Sequence, residues 1–180
     1  MGKRGVIWVA AVLYIAIGMV VLGLILSAAL PALAKLKDRN IYAQTKELFF
    51  VLDKNIRNVV VEGVASQREL NPFTVTKGNF FLNSSNFHWS MKTEALILEP
   101  STAAAPITKQ EGNVKIWQEK TKTKGEYILH LDIHYDQVAG QIALEVDPAS
   151  AGMPLSGTYA LLLKNVGVVH NKIVVRMLVH

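Results

Sequence analysis

GVIWVAAVLYIAIGMVVLGLILSAALPALA, residues 5–34, is a run of 30 residues without a single charge, bounded by Arg4 and Lys35. A bilayer core of about 30 Å needs roughly 20 consecutive apolar residues in a helix. Val6 to Leu30 alone would reach about 37 Å at ~1.5 Å per residue. A helix that is apolar on every face has no place in a small water-soluble core. The stretch Val6–Ala34 therefore reads as a membrane-spanning helix behind a short basic leader, Met1–Gly5. Lys3 and Arg4 favour a cytoplasmic N-terminus, although Lys35, Lys37 and Arg39 on the far side weaken the contrast. The five-residue tail and the large C-terminal part argue the same way, placing the C-terminal domain outside. A cleaved secretory signal would have an apolar stretch of only ~7–15 residues, but Ala28-Ala29-Leu30-Pro31-Ala32 would offer small residues for such a cut.

The whole chain has 180 residues, room for one anchor and one modest domain. Hydrophobic residues make up 51%, an excess concentrated in this first segment. Lys3 and Arg4 supply two of the 19 basic residues, leaving 17 against 14 acidic ones. That is an ordinary mixed surface, not a nucleic-acid footprint. There is no cysteine, which removes disulfides, thiolate metal sites and cysteine nucleophiles together.

Beyond the run, LAKLKDRNIYAQTKELFFVLDKNIRNVVVEG spaces Ile41, Leu48, Leu52, Ile56 and Val59 or Val60 by three, four or seven. This is one apolar face of a second, amphipathic helical segment over residues 35–63, ending at Gly63. Pro31 can end or bend the first segment. From residue 64 to 180 the texture is β-rich, with strands expected at Asn79–Leu82, Phe87–Lys92, Ala95–Glu99, Val114–Glu119, Glu126–Tyr135, Gln141–Val146, Thr158–Lys164 and Val168–Leu178. In Tyr127–Tyr135, alternate residues put Tyr127, Leu129, Leu131, Ile133 and Tyr135 on one face, and His130, Asp132 and His134 on the other. Asn165-Val166-Gly167 reads as the loop of a closing hairpin, and Ser101–Pro106 and Pro148–Pro154 as loops. The expected fold class is α+β: a long N-terminal transmembrane and amphipathic helix packed on an antiparallel sheet.

Few residues point to chemistry. His130, Asp132 and His134 are weak candidates for metal ligation, because imidazoles and a carboxylate at alternate strand positions can share an ion; a solvated polar face is the simpler account. His88, His170 and His180 read as surface residues. No Gly-x-Ser-x-Gly elbow, phosphate loop, dinucleotide fingerprint or His-Glu-x-x-His is present. No enzyme activity and no cofactor are expected. Asn83-Ser84-Ser85 is a sequon, making Asn83 a glycosylation candidate if the domain is external, or else an ordinary turn asparagine. In the anchor, Gly18, Gly23 and Ser27 are small, and Gly23 and Ser27 stand four apart, a spacing that lets helices approach closely.

Lys3-Arg4-Gly5 followed by Val6 and the apolar run resembles the class III signal of type IV pilin-like proteins. In that family a prepilin-type peptidase cuts behind the glycine and leaves the hydrophobic helix on the mature protein. The resemblance implies cleavage between Gly5 and Val6, with Lys3, Arg4, Gly5 and Val6 as the processing residues. Bacterial pilins carry a glutamate at the fifth mature position, which is Ala10 here; archaeal pilin-like proteins commonly lack it and are the closer match. The glutamine-rich start frequent in archaeal pilins is absent. The resemblance implies a structural subunit or minor component of a pilus-like surface filament, held in the bilayer before assembly and associating with copies of itself or other pilin-like subunits. The alternative is a signal-anchored single-pass protein with an extracytoplasmic binding domain.

Overall fold

The computed structural model describes residues 3–101, 107–135, 142–148 and 150–180, with side chains from Trp8 onward except at positions 9 and 10. The chain divides into two compact units, Met1–Lys37 and Asp38–His180. One helix, α1 (Lys3–Glu62, 60 residues), contributes to both. In the first unit, every residue from Ala11 to Lys37 is exposed. Pro31 lies inside the helix and does not end it. Proline has no N–H and its ring crowds the carbonyl four residues back, so the Ser27 carbonyl loses its helix hydrogen bond.

The second unit is a sheet with the later part of α1 packed on one face. Asp38, Ile41, Thr45, Phe49, Leu52, Ile56 and Val59 are buried. Their spacing of three and four makes one stripe along the helix. Phe49 occupies the place expected of Leu48, which flanks the core instead. A phenyl ring reaches further into the sheet's aromatic centre than a leucine on the shoulder of the helix. Phe80 is that centre: it meets Phe49 edge-on at 5.5 Å, Phe73 at 5.1 Å and Phe87 at 6.2 Å.

The strands are β1 (Gln67–Leu82), β2 (Asn86–Thr93), β3 (Thr108–Glu111), β4 (Val114–Lys120), β5 (Tyr127–His134), β6 (Ile142–Val146), β7 (Pro154–Val169) and β8 (Lys172–Val179). Their order is β3-β4-β5-β2-β1-β7-β8-β6. The expected purely antiparallel sheet is corrected in one place: β6 runs parallel to β8. The loop from β6 to β7 does not close a hairpin; it steps across the gap in which β8 is inserted. A loop of the length of 147–153 is long enough to cross two strand spacings of ~4.8 Å, and this crossover makes the sheet mixed.

Three further expectations are corrected. Ala95–Glu99 is not a strand. Three of its backbone groups are met by one side chain, Gln118, whose Oε1 accepts from Ile97 N (3.0 Å) and Leu98 N (2.8 Å) while Nε2 donates to Ala95 O (2.9 Å). Thr108–Glu111, with no apolar alternation to reveal it, is a strand because it pairs with β4 through a turn at Gly112-Asn113. Asn165-Val166-Gly167 is not a hairpin loop but a bulge inside β7, and the turn lies at His170-Asn171 with φ of 51° and 61°, the backbone of a two-residue hairpin. Asn165 is 2% exposed. Its Oδ1 accepts from Gly167 N (2.9 Å) and its Nδ2 donates to Val59 O (3.2 Å) in the last turn of α1. Residues 102–106, Gln141 and Ala149, parts of an expected loop, strand and loop, lie outside the described residues.

Gln118 is fully buried. Gln118→Leu removes the partners of three backbone groups, so an unfolding free energy lower by about 2–3 kcal/mol is expected. Urea titration measures it, and faster amide exchange at Ile97 and Leu98 localises it.

Candidate functional site

Two regions carry the residues that the sequence singles out. The first is the exposed apolar part of α1. Among the described residues, α1 is the one helix long and apolar enough to cross a membrane. Trp8, Leu13, Ile17, Leu24 and Leu30 are all more than half exposed, an arrangement that water opposes and lipid favours. A Cβ added at Gly18 or Gly23 would meet nothing within 4 Å, so neither glycine serves packing within this chain. Ser27 Oγ donates to the Leu24 carbonyl at 2.8 Å, which hides its hydroxyl as a bilayer requires. Lys3, Arg4, Gly5 and Val6 lie in the helical backbone of α1.

The second region is the sheet face opposite α1, on β1, β2, β5 and β4. Strand alternation sends Leu129, Leu131 and Ile133 to the core and His130, Asp132 and His134 to this face, as the sequence reading has it. Register then decides the neighbours. Ser90 and Trp117 flank His130, and His88 and Lys115 flank Asp132. His130 and His134 do not converge on Asp132 together. Asp132 accepts from Asn86 Nδ2 at 3.1 Å and pairs with His134 Nε2 at 2.9 Å. His130 turns away, its Nδ1 lying 3.4 Å from Nε2 of His88. Among the described residues, no three His, Asp or Glu side chains converge on a point where an ion would sit.

His88, read from sequence as a surface residue, is therefore a member of the cluster. Its ring is 6.1 Å from Phe81, 6.0 Å from Trp117 and 5.3 Å from His130. Trp117 lies flat against His130 at 4.8 Å and 7°, and its indole N–H donates to Glu119 at 3.0 Å. His130 Nε2 is buried without a hydrogen-bond partner, 3.9 Å from Glu119 Oε2. Burial is the main cause that lowers the pKa of both His88 and His130 below the usual histidine range. Burial thus disfavours the charged imidazolium in both rings, and neutral imidazole is the form that binds metals and shares protons.

Asn83 lies in the connection between β1 and β2. Its N–H donates to Asn86 O and its Nδ2 to Asn86 Oδ1, both at 3.0 Å. Ser84 and Ser85 are exposed. The amide nitrogen that a glycan would take is thus committed to a turn contact in the folded domain. Comparison with family models, with curated proteins and with solved structures finds no match to this chain.

Proposed function

We propose that this chain is a type IV pilin-like protein of archaeal kind, a structural subunit or minor component of a surface filament, held in the cytoplasmic membrane by α1 before assembly. One observation carries this reading. A single helix has every residue exposed from Ala11 to Lys37, and then supplies a core stripe from Ile41 to Val59 to a β-rich domain. Such a helix suits two successive surroundings, lipid first and the apolar interior of a filament second. The leader Lys3-Arg4-Gly5 adds a peptidase site at the start of that helix. With or without a filament, a long apolar N-terminal helix of this kind fits a single-pass membrane anchor.

The intact mass of protein extracted from membranes tests the reading. Loss of Met1–Gly5 in the wild type, and its retention in Gly5→Val, are the expected results. A wild type that keeps its first five residues overturns the pilin reading and leaves an anchored binding domain. Orientation is tested separately. Since the chain has no cysteine, Ser85→Cys provides a single thiol at an exposed turn. Labelling of intact cells by a membrane-impermeant maleimide is expected; labelling only after lysis reverses the topology.

A further inference from the structure

We propose that His88 and His130 form a two-imidazole site for one borderline divalent transition-metal ion, such as Zn(II) or Cu(II), on the sheet face opposite α1.

The geometry carries this. A tetrahedral ion with metal–nitrogen distances of about 2.0–2.1 Å holds two imidazole nitrogens roughly 3.4 Å apart and their ring centroids roughly 5.2 Å apart. His88 Nε2 and His130 Nδ1 are 3.4 Å apart and the centroids 5.3 Å. An unstrained hydrogen bond would bring the nitrogens to about 3.0 Å. The 3.4 Å contact is a long hydrogen bond in the absence of an ion, and it is also the separation at which one ion bridges both nitrogens.

The surroundings agree. His130 is held flat by Trp117, so its Nδ1 keeps one direction. Its other nitrogen, buried and without a hydrogen-bond partner, faces the Glu119 carboxylate at 3.9 Å. At that distance no hydrogen bond forms, but the carboxylate's charge favours a proton on Nε2, which leaves the Nδ1 lone pair for the ion. Trp117 in turn donates to the other Glu119 oxygen and steadies that carboxylate. No third protein ligand converges on the pair among the described residues, so the remaining positions go to solvent or to an incoming group. Asp132 and His134 are paired with each other and contribute charge nearby. The site sought at His130, Asp132 and His134 is thus moved: His130 keeps its part, and His88 replaces the other two.

The test uses the untagged full-length chain in detergent micelles, titrated with Cu(II) and read by electron paramagnetic resonance. Expected are one Cu(II) per chain, hyperfine structure from two imidazole nitrogens, and displacement of the copper by excess Zn(II). His88→Gln and His130→Gln, which keep side-chain bulk, should each weaken binding at least ~100-fold, and Glu119→Gln about 10-fold, with His134→Gln near wild type. An unchanged far-ultraviolet circular dichroism spectrum certifies the fold of each variant. The proposal is overturned if the wild type binds no copper, if binding survives in both His88→Gln and His130→Gln, or if His134→Gln abolishes it. If either of those two variants fails to fold, the wild-type spectrum decides: two coordinated imidazoles support the pair, and one or none sinks it.

Discussion

Gly78→Ala is expected to cost about 3–4 kcal/mol of the domain's stability, a large share of the ~5–15 kcal/mol typical of a folded domain. Two separate effects act at this position. Gly78 has φ +87°, a backbone that L side chains avoid, and that alone is worth about 1–2 kcal/mol. The added Cβ would also lie 2.4 Å from the Ser90 carbonyl oxygen and 2.9 Å from Nε1 of Trp89. The first neighbour is backbone, so β1 and β2 would have to move apart. The second is the nitrogen with which Trp89 donates to Lys77 O at 2.9 Å, and Trp89 is fully buried. Relief by either route therefore opens the core. Gly125→Ala separates the effects, because Gly125 also has positive φ (+83°) but meets nothing within 4 Å. Its expected cost is about 1 kcal/mol, the conformational part alone. Urea unfolding followed by Trp89 fluorescence measures both. Equal losses in the two variants would mean that the strands do not close over position 78.

Local pattern made much of this structure legible, and long-range register hid the rest. The absence of charge from Gly5 to Ala34 and the stop at Gly63 mark the helix almost to its observed end at Glu62. The alternation in Tyr127–Tyr135 assigns the faces of β5 correctly, because burial on one side of a strand imposes period two. Asn165-Val166-Gly167 misleads for a physical reason: the residues that favour a turn also favour a bulge, and only the partner strand distinguishes them. Gln118 shows the same limit. In sequence it is one polar residue in an alternating strand; in the fold it is a buried amide that holds an irregular segment and leaves no trace in hydrophobic periodicity. The histidine pair lies beyond local reading altogether. His88 and His130 are 42 positions apart and meet because Ser90 pairs with His130 and His88 with Asp132; a slip of the register by one residue would send them to opposite faces.

Phe49→Ala should lower the domain's stability by about 3–5 kcal/mol, whereas Leu22→Ala, a similar truncation on the same helix, should leave it unchanged. Phe49 is fully buried and edge-on to Phe80 at the centre of the core, so its removal leaves a cavity that the β-strands cannot collapse to fill. Leu22 lies in the Met1–Lys37 unit and is 57% exposed, so its truncation leaves no cavity in the core. Polar ties around Phe49 limit how far the helix can shift to compensate. Asp38 pairs with Lys77 at 2.6 Å and Lys46 with Glu111 at 2.9 Å. The Asp53 carboxylate accepts from Tyr135 Oη at 2.8 Å and from Arg57 and Asn113 at 3.0 Å each. Burial, together with that carboxylate, pushes the Tyr135 phenol pKa upward, so Tyr135 remains a donor at any pH the protein meets. Held at these points, the segment from Asp38 to Val59 cannot slide to refill the space Phe49 leaves. Urea titrations of both variants in the same micelles, read at Trp89, give the comparison. A large loss at Phe49 with none at Leu22 divides α1 into a part that folds the domain and a part free to exchange lipid for another apolar environment. A loss at Leu22 comparable to that at Phe49 would tie the apolar part to the domain's own stability and remove the freedom that a change of surroundings requires.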